Sequence, residues 1–288
     1  NGYKQKNMWF WQRSVSPHML ELVKSLNKFG SQVTVVAETM LTSDRIDQGW
    51  SLPSLAGVNL ELVDSHERAN ELVHSAPVGS KHFCSGIRDN GLVGVAQDLL
   101  AKRNMDQWVV METVDDAGLK GLLKRKVYAN LFRKKLSSIQ GVLAIGHSTS
   151  AWLHDLGVPR QSVFPFAYFL PKPGSFVAET DEESRRFRFL FVGQLIERKR
   201  LDSLIKALGS LIPAKFELAV VGSGPDEEGL ESLARRILGN RLDWIGKLGM
   251  DHVANEMARA DCLVLPSRHD GWGAVCLLYT SDAADDLA

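Results

Sequence analysis

Three consecutive cations, Arg198-Lys199-Arg200, stand a few residues behind Gly193 and directly ahead of leucines at helical spacing. Charge on such a loop suits a phosphate. The first turn of the following helix offers unpaired N–H groups and positive potential, and bonds from cations to phosphate oxygens are among the strong ones. Taken alone, the loop also reads as a solvated charge run. A second loop, Val221-Gly222-Ser223-Gly224-Pro225, looks like a dinucleotide fingerprint but fails it, because Glu227 stands where the third glycine would fall. Its glycines license a tight turn and a backbone that a ligand can approach. A third segment, Pro266-Ser267-Arg268-His269-Asp270-Gly271-Trp272-Gly273, would expose N–H groups at Gly271 and Gly273 with the Asp270 carboxylate beside them. An acid next to an anion site is costly unless it accepts hydrogen bonds from hydroxyls, so the pattern points to a ligand carrying both phosphate and sugar. The alternative is that Asp270 simply caps a helix.

The elements that must position these loops alternate strand and helix, as in a parallel sheet covered by helices. Phe187–Val192 reads as a strand ending at Gly193, and Leu201, Leu204, Ile205, Leu208 and Leu211 as a helix stopped by Pro213. Phe216–Val221 is the next strand. Pro225 stands at the expected first helical position, with Asp226, Glu227 and Glu228 at the positive end of the dipole and Leu230, Leu233, Ala234 and Ile237 as the buried stripe. Asp243–Ile245 and Cys262–Leu265 complete the strands, with Asp251 as a helix cap between them. In such sheets ligands bind at the carboxyl edge, where the three loops lie. The first half is similar, with a helix from Pro17 to Lys28, a turn at Gly30, and strands at Val33–Ala37, His82–Cys84, Trp108–Glu112 and Val142–Ile145.

The chain has 288 residues, enough for two domains of about 150 residues. Hydrophobic residues make up 44% and charged residues 24%, which excludes a disordered chain. Thirty-four Lys and Arg balance 34 Asp and Glu, so a general nucleic-acid binder is not expected. No apolar run is long enough to span a bilayer, and Trp9-Phe10-Trp11 is too short and polar-flanked for a leader. The three cysteines, Cys84, Cys262 and Cys276, show no metal-ligand spacing. Residues 171–185 are rich in Pro, Gly and acid and read as a linker between a first domain, 1–170, and a second, 186–277. From Leu278 to Ala288 the sequence has neither stripe nor strand and resembles translated adapter read-through, so a truncated second domain with a non-native tail is expected.

Taken together, the loops resemble the donor half of retaining glycosyltransferases of family 4, which have the GT-B fold of two Rossmann-like α/β domains. Val192-Gly193-Gln194-Leu195-Ile196-Glu197-Arg198-Lys199 is similar to the family's V-G-R-L-x-x-x-K loop, Val220 to Pro225 to its V-G-x-G-P turn, and Leu265 to Gly273 to its P-S-x-x-E-G-x-G segment. The resemblance covers Phe187 to Leu277 and implies transfer of a sugar from a nucleotide-diphosphate sugar to a hydroxyl acceptor, a glycan or lipid-linked. It further implies retention, no metal and no cofactor beyond the donor, in cytoplasmic polysaccharide assembly. Gln194, Arg198, Lys199, Gly222, Gly271, Trp272 and Gly273 would bind donor diphosphate and sugar, and Asp270 would stand for the first of the family's two acids. The sequence departs from the pattern at Gln194, where an Arg is usual, at Asp270, one methylene short of Glu, and at Leu278, where the second acid would stand. Alternatives are a nucleotide-sugar epimerase or hydrolase of the same fold, and a non-catalytic nucleotide-sugar-binding protein or inactive fragment.

On the acceptor side the candidates are Glu112 and His18, ahead of His82, Asp115 and Asp116, each of which also has a structural reading. Lys120 to Lys135 carries seven basic residues, no acid and interleaved apolar side chains. Such a helix could contact an anionic membrane on its inner face, although packing of the apolar residues into the domain is the stronger expectation.

Overall fold

The computed structural model describes residues 6–42, 46, 54–169, 186–270 and 273. Contacts divide the chain into one unit of Asn1–Thr42 with Leu52–Leu170 and another of Ser43–Ser51 with Pro171–Ala288. The expected linker, 171–185, and the tail from Leu278 lie outside the described residues.

The first unit is a parallel sheet of β1 (Asn7–Ser14), β2 (Gln32–Thr39), β3 (Asn59–Leu62), β4 (Lys81–Ser85), β5 (Asp106–Glu112), β6 (Gly141–Ile145) and β7 (Val163–Phe166). Their order is β3-β2-β1-β4-β5-β6-β7. Parallel neighbours need crossovers, which are supplied by α1 (Pro17–Lys28), α2 (His66–Ser75), α3 (Leu92–Lys102), α4 (Gly118–Lys135) and α5 (His147–Asp155). Trp9-Phe10-Trp11 is the centre of β1. Successive residues there face opposite sides and both sides are covered. Trp9 and Trp11 pack with Leu72, Val73, Ala96 and Leu100 of α2 and α3, and Phe10 packs with Met19 and Val23 of α1.

The second unit is a parallel sheet of β8 (Phe187–Val192), β9 (Phe216–Val221), β10 (Leu242–Gly246) and β11 (Cys262–Leu263), with α6 (Leu201–Gly209), α7 (Glu227–Leu238) and α8 (Met250–Ala258). The order is β10-β9-β8-β11, so the sheet reverses direction of growth at β8. Phe191, Leu218 and Val220 are buried under α6 and α7, while Leu190, Ala219 and Val221 on the other face pack with Met257 of α8. At the amino edge, the buried Arg188 guanidinium bonds Glu217, Asp243 at 2.7 Å and Glu256 at 2.9 Å. Its backbone N–H donates to Asp261 Oδ2 at 2.6 Å. Burial works against the arginine's charge, and the bonds it donates to Asp243, Glu217 and Glu256 outweigh it, so its pKa lies above the usual value.

Several boundaries differ from those expected. Leu211 is half exposed beyond the end of α6, which closes at Gly209, where a Cβ would lie 2.5 Å from Ile237 Cγ2. Pro225 precedes α7 rather than opening it, because the Asp226 N–H donates to Leu195 O and Asp226 is the cap. Gly249, not Asp251, caps α8. β11 pairs over only two residues before the chain departs toward Pro266.

Candidate functional site

The carboxyl ends of β8 and β11 are neighbours at the point where the sheet of the second unit reverses, the place where an open α/β sheet accommodates a ligand. The loop after β8 is bound to the loop after β9. Gly193 N donates to Val221 O at 3.0 Å, Leu195 N to Ser223 O at 3.0 Å and Asp226 N to Leu195 O at 3.1 Å. This stitching explains both glycines of the second loop. Gly222 has φ +147°, and a Cβ there would lie 1.9 Å from Gly193 O; a Cβ on Gly224 would lie 2.4 Å from Leu195 O. What approaches the Gly222 backbone is therefore the loop that carries the cations, which leaves β8 on a fixed path.

Beyond Leu195 the chain makes a 3₁₀ turn, Glu197–Lys199, and the three cations part. Arg200 sits at φ +55° and turns back to Asp202 and Ser203. Arg198 Nη1 donates to His269 O at 2.5 Å, and Arg268 N donates to Arg198 O at 2.9 Å, which ties the β8 loop to the β11 loop. Lys199 Nζ donates to Asp270 Oδ2, its side chain 13% exposed against 31% for Asp270. The second Asp270 oxygen faces Gly273 N at 3.4 Å, with Gly273 at φ +67°. Asp270 thus receives a backbone N–H on one oxygen and holds the Lys199 ammonium with the other. An ammonium has three N–H donors, so Lys199 can keep Asp270 and still meet another acceptor. Gln194 is half-buried in the same loop; Gly271 and Trp272 lie outside the described residues.

In the first unit, the structure brings Glu112 and His18 to one place through a residue the sequence did not single out. Glu112 closes β5, and Tyr168 Oη donates to its Oε1. The Tyr168 ring lies 5.3 Å from that of His18, and Phe169 N donates to His18 O at 3.1 Å. The only local signal for Tyr168 was its place in the apolar stretch after β7, since its partners stand far away along the chain. His82 is elsewhere, at the start of β4 and fully buried. Its Nδ1 accepts from Trp11 Nε1 at 3.0 Å, and its Nε2 meets Ser80 Oγ at 2.9 Å. Burial, and then the charge of Arg103, lower its pKa to about 4, so it is a neutral core residue. Asp115 and Asp116 organise the approach to α4. Asp115 accepts from Ala117 N, while Asp116 accepts from Trp152 Nε1 at 2.7 Å and pairs with Arg125 at 2.8 Å.

Residues 176–278 match the family model described as glycosyl transferases group 1. Over 82 residues the chain is 38% identical to a GDP-mannose-dependent monoacylated α-(1-6)-phosphatidylinositol monomannoside mannosyltransferase of Corynebacterium glutamicum, a match covering 28% of this chain and 21% of that protein. The match thus spans about a fifth of that relative's length. Among solved structures, a glycosyltransferase from Rickettsia africae superposes with a TM-score of 0.71 at 11% identity, covering 97% of this chain and 78% of its own. Anabaena HepE in complex with UDP-glucose does so with 0.70 at 13%, covering 96% and 78%. At such identities the likeness is one of fold. The chain therefore has the GT-B fold of these glycosyltransferases, and its residues 176–278 are similar to the glycosyl transferases group 1 family.

Proposed function

We propose that this protein transfers a sugar from a nucleoside-diphosphate sugar to a hydroxyl acceptor, with the donor held at the carboxyl edge of the second unit. The observation that carries the reading is the meeting of Lys199 and Asp270, from the loops after β8 and β11, where the sheet order reverses. Departure of a nucleoside diphosphate builds negative charge on its phosphates. Lys199 is placed to meet that charge with its remaining N–H groups, while Arg198 holds the two loops at their spacing and Gln194 lines the same turn. Asp270 would accept from sugar hydroxyls, and the N–H groups of Gly271 and Gly273, with Trp272 between them, would complete the donor site. Gly222 contributes by letting the cation loop pack against it. On this reading fixed cations do the work of charge neutralisation, so transfer proceeds without a divalent ion and, following the family resemblance, with retention. Glu112 and His18, joined through Tyr168, would face the acceptor.

The named relatives support the donor class and leave the base open, since the mannosyltransferase is GDP-mannose-dependent and HepE was solved with UDP-glucose. Calorimetric titration with UDP and with GDP tests the site. Lys199→Met removes the ammonium while keeping the stem and is expected to weaken whichever nucleotide binds by about tenfold to a hundredfold, the worth of a charged hydrogen bond of about 1.5–3 kcal/mol. Unchanged affinity would remove Lys199 from the site. Turnover of donor without acceptor would replace the transferase reading by that of an epimerase or hydrolase.

A further inference from the structure

Helix α4 does not bury its apolar residues on one side. Tyr128, Ala129 and Phe132, in its later turns, pack into the core with Val109, Val142 and Trp152. The first turns behave otherwise: Leu119 is 86%, Leu122 58% and Leu123 66% exposed. Positions 119, 122 and 123 share one side of a helix. The opposite side of that turn is Gly121, where a Cβ would lie 1.6 Å from Asp116 O, so the helix cannot roll to bury the leucines.

The cations of α4 divide in the same way. Arg125 pairs with Asp116 and Asp155, Lys135 with Asp98, and Lys124 donates to Asp115 O. Lys120, Lys126, Arg133 and Lys134 have no carboxylate partner among the described residues, and α4 contains no acidic residue of its own. The outer side therefore consists of a leucine tip followed by unpaired positive charge.

We propose that this outer side of α4 docks on an anionic lipid surface. The leucines enter the boundary between headgroups and acyl chains, and Lys120, Lys126, Arg133 and Lys134 meet the lipid phosphates. Charge selects this occupant over others. A second copy of the chain would set cations against cations, and a nucleic acid would need exposed rings to stack on, whereas Tyr128 and Phe132 face the core. The inference stands independently of the sugar-transfer reading, since it uses no residue of the donor site.

Flotation of the 288-residue chain with vesicles tests it. Binding is expected to vesicles of phosphatidylcholine mixed with phosphatidylglycerol, weakly to phosphatidylcholine alone, and to fall with added salt. Replacing the leucines together (Leu119→Gln, Leu122→Gln, Leu123→Gln) is expected to lower the partition coefficient by about tenfold or more. Replacing the cations together (Lys120→Gln, Lys126→Gln, Arg133→Gln, Lys134→Gln) is expected to lower it by about a thousandfold. Both variants should keep the parental melting temperature, because the residues are exposed. Equal binding to the two vesicle types, or unchanged binding by the two variants, would overturn the proposal. So would a dimer in sedimentation that the leucine variant abolishes, because the covering surface would then be a second copy.

Discussion

Acid should loosen the first unit through His82. Trp11 Nε1 can only donate, so the His82 Nδ1 it meets at 3.0 Å must be bare, which puts the ring proton on Nε2, donating to Ser80 Oγ. Protonating Nδ1 would set two N–H groups against each other inside the buried core. The folded pKa is accordingly lowered from 6.5 to about 4, burial being the larger cause and Arg103 the lesser. The unfolded chain thus binds the proton first. The contribution of neutral His82 is fully present above pH 6.5, is lost as pH falls from there, and is gone once pH passes below the folded value. At 1.36 kcal/mol per pH unit the whole loss is about 3 kcal/mol, of which about 2 kcal/mol has gone by pH 5. Urea unfolding of the first unit at pH 7.5 and pH 5, for the parent and for His82→Gln, isolates this group from the other titrating residues. The variant is expected to be less stable at pH 7.5 but to lose about 2 kcal/mol less on acidification. Parallel pH dependences in the two proteins, or a His82 ring that titrates near 6.5 by NMR, would refute the reasoning and reopen His82 as an accessible, functional residue.

Two further outcomes follow from the second unit. Gly222→Ala forces a methyl to within 1.9 Å of Gly193 O at a φ of +147°, so it is expected to lower the stability of that unit by about 2 kcal/mol or more in urea unfolding, with loss of nucleotide binding because the Lys199 loop moves. A variant as stable as the parent would mean that the two loops are not packed as described. Arg188→Met leaves Glu217, Asp243 and Glu256 without their buried countercharge and is expected to cost about 3 kcal/mol or more, a loss partly recovered at low pH as the carboxylates protonate. A stability change below about 1 kcal/mol would show that the cluster is a surface network worth little.

The division between what was legible in the chain and what was not follows a physical line. The limits of β8 and β9 could be read directly, because strands buried on both faces appear as continuous apolar runs bounded by turn residues. The extent of α1 was equally plain, opened by Pro17 and closed before Gly30. So were the loops of the second unit, since a strand followed by Gly and a helix must place its connecting residues at the carboxyl edge. β1 was not read as a strand, because Trp9-Phe10-Trp11 has no period of its own and declares itself only when helices cover both faces. Nor did the local pattern give the three cations their separate partners. Backbone geometry at Arg200 and the arrival of His269 and Asp270 gave each a separate partner. Lys199 and Asp270 stand 71 positions apart, and Glu112 and Tyr168 56 apart. Local pattern encodes which faces of an element are buried, and hence that a loop will be at an edge. Which loops become neighbours depends on strand order, and strand order is set by the packing of crossovers whose contacts no short window of sequence contains. The residue types of these loops were therefore written in the sequence, and the meeting of Lys199 with Asp270 was decided by β11 lying beside β8.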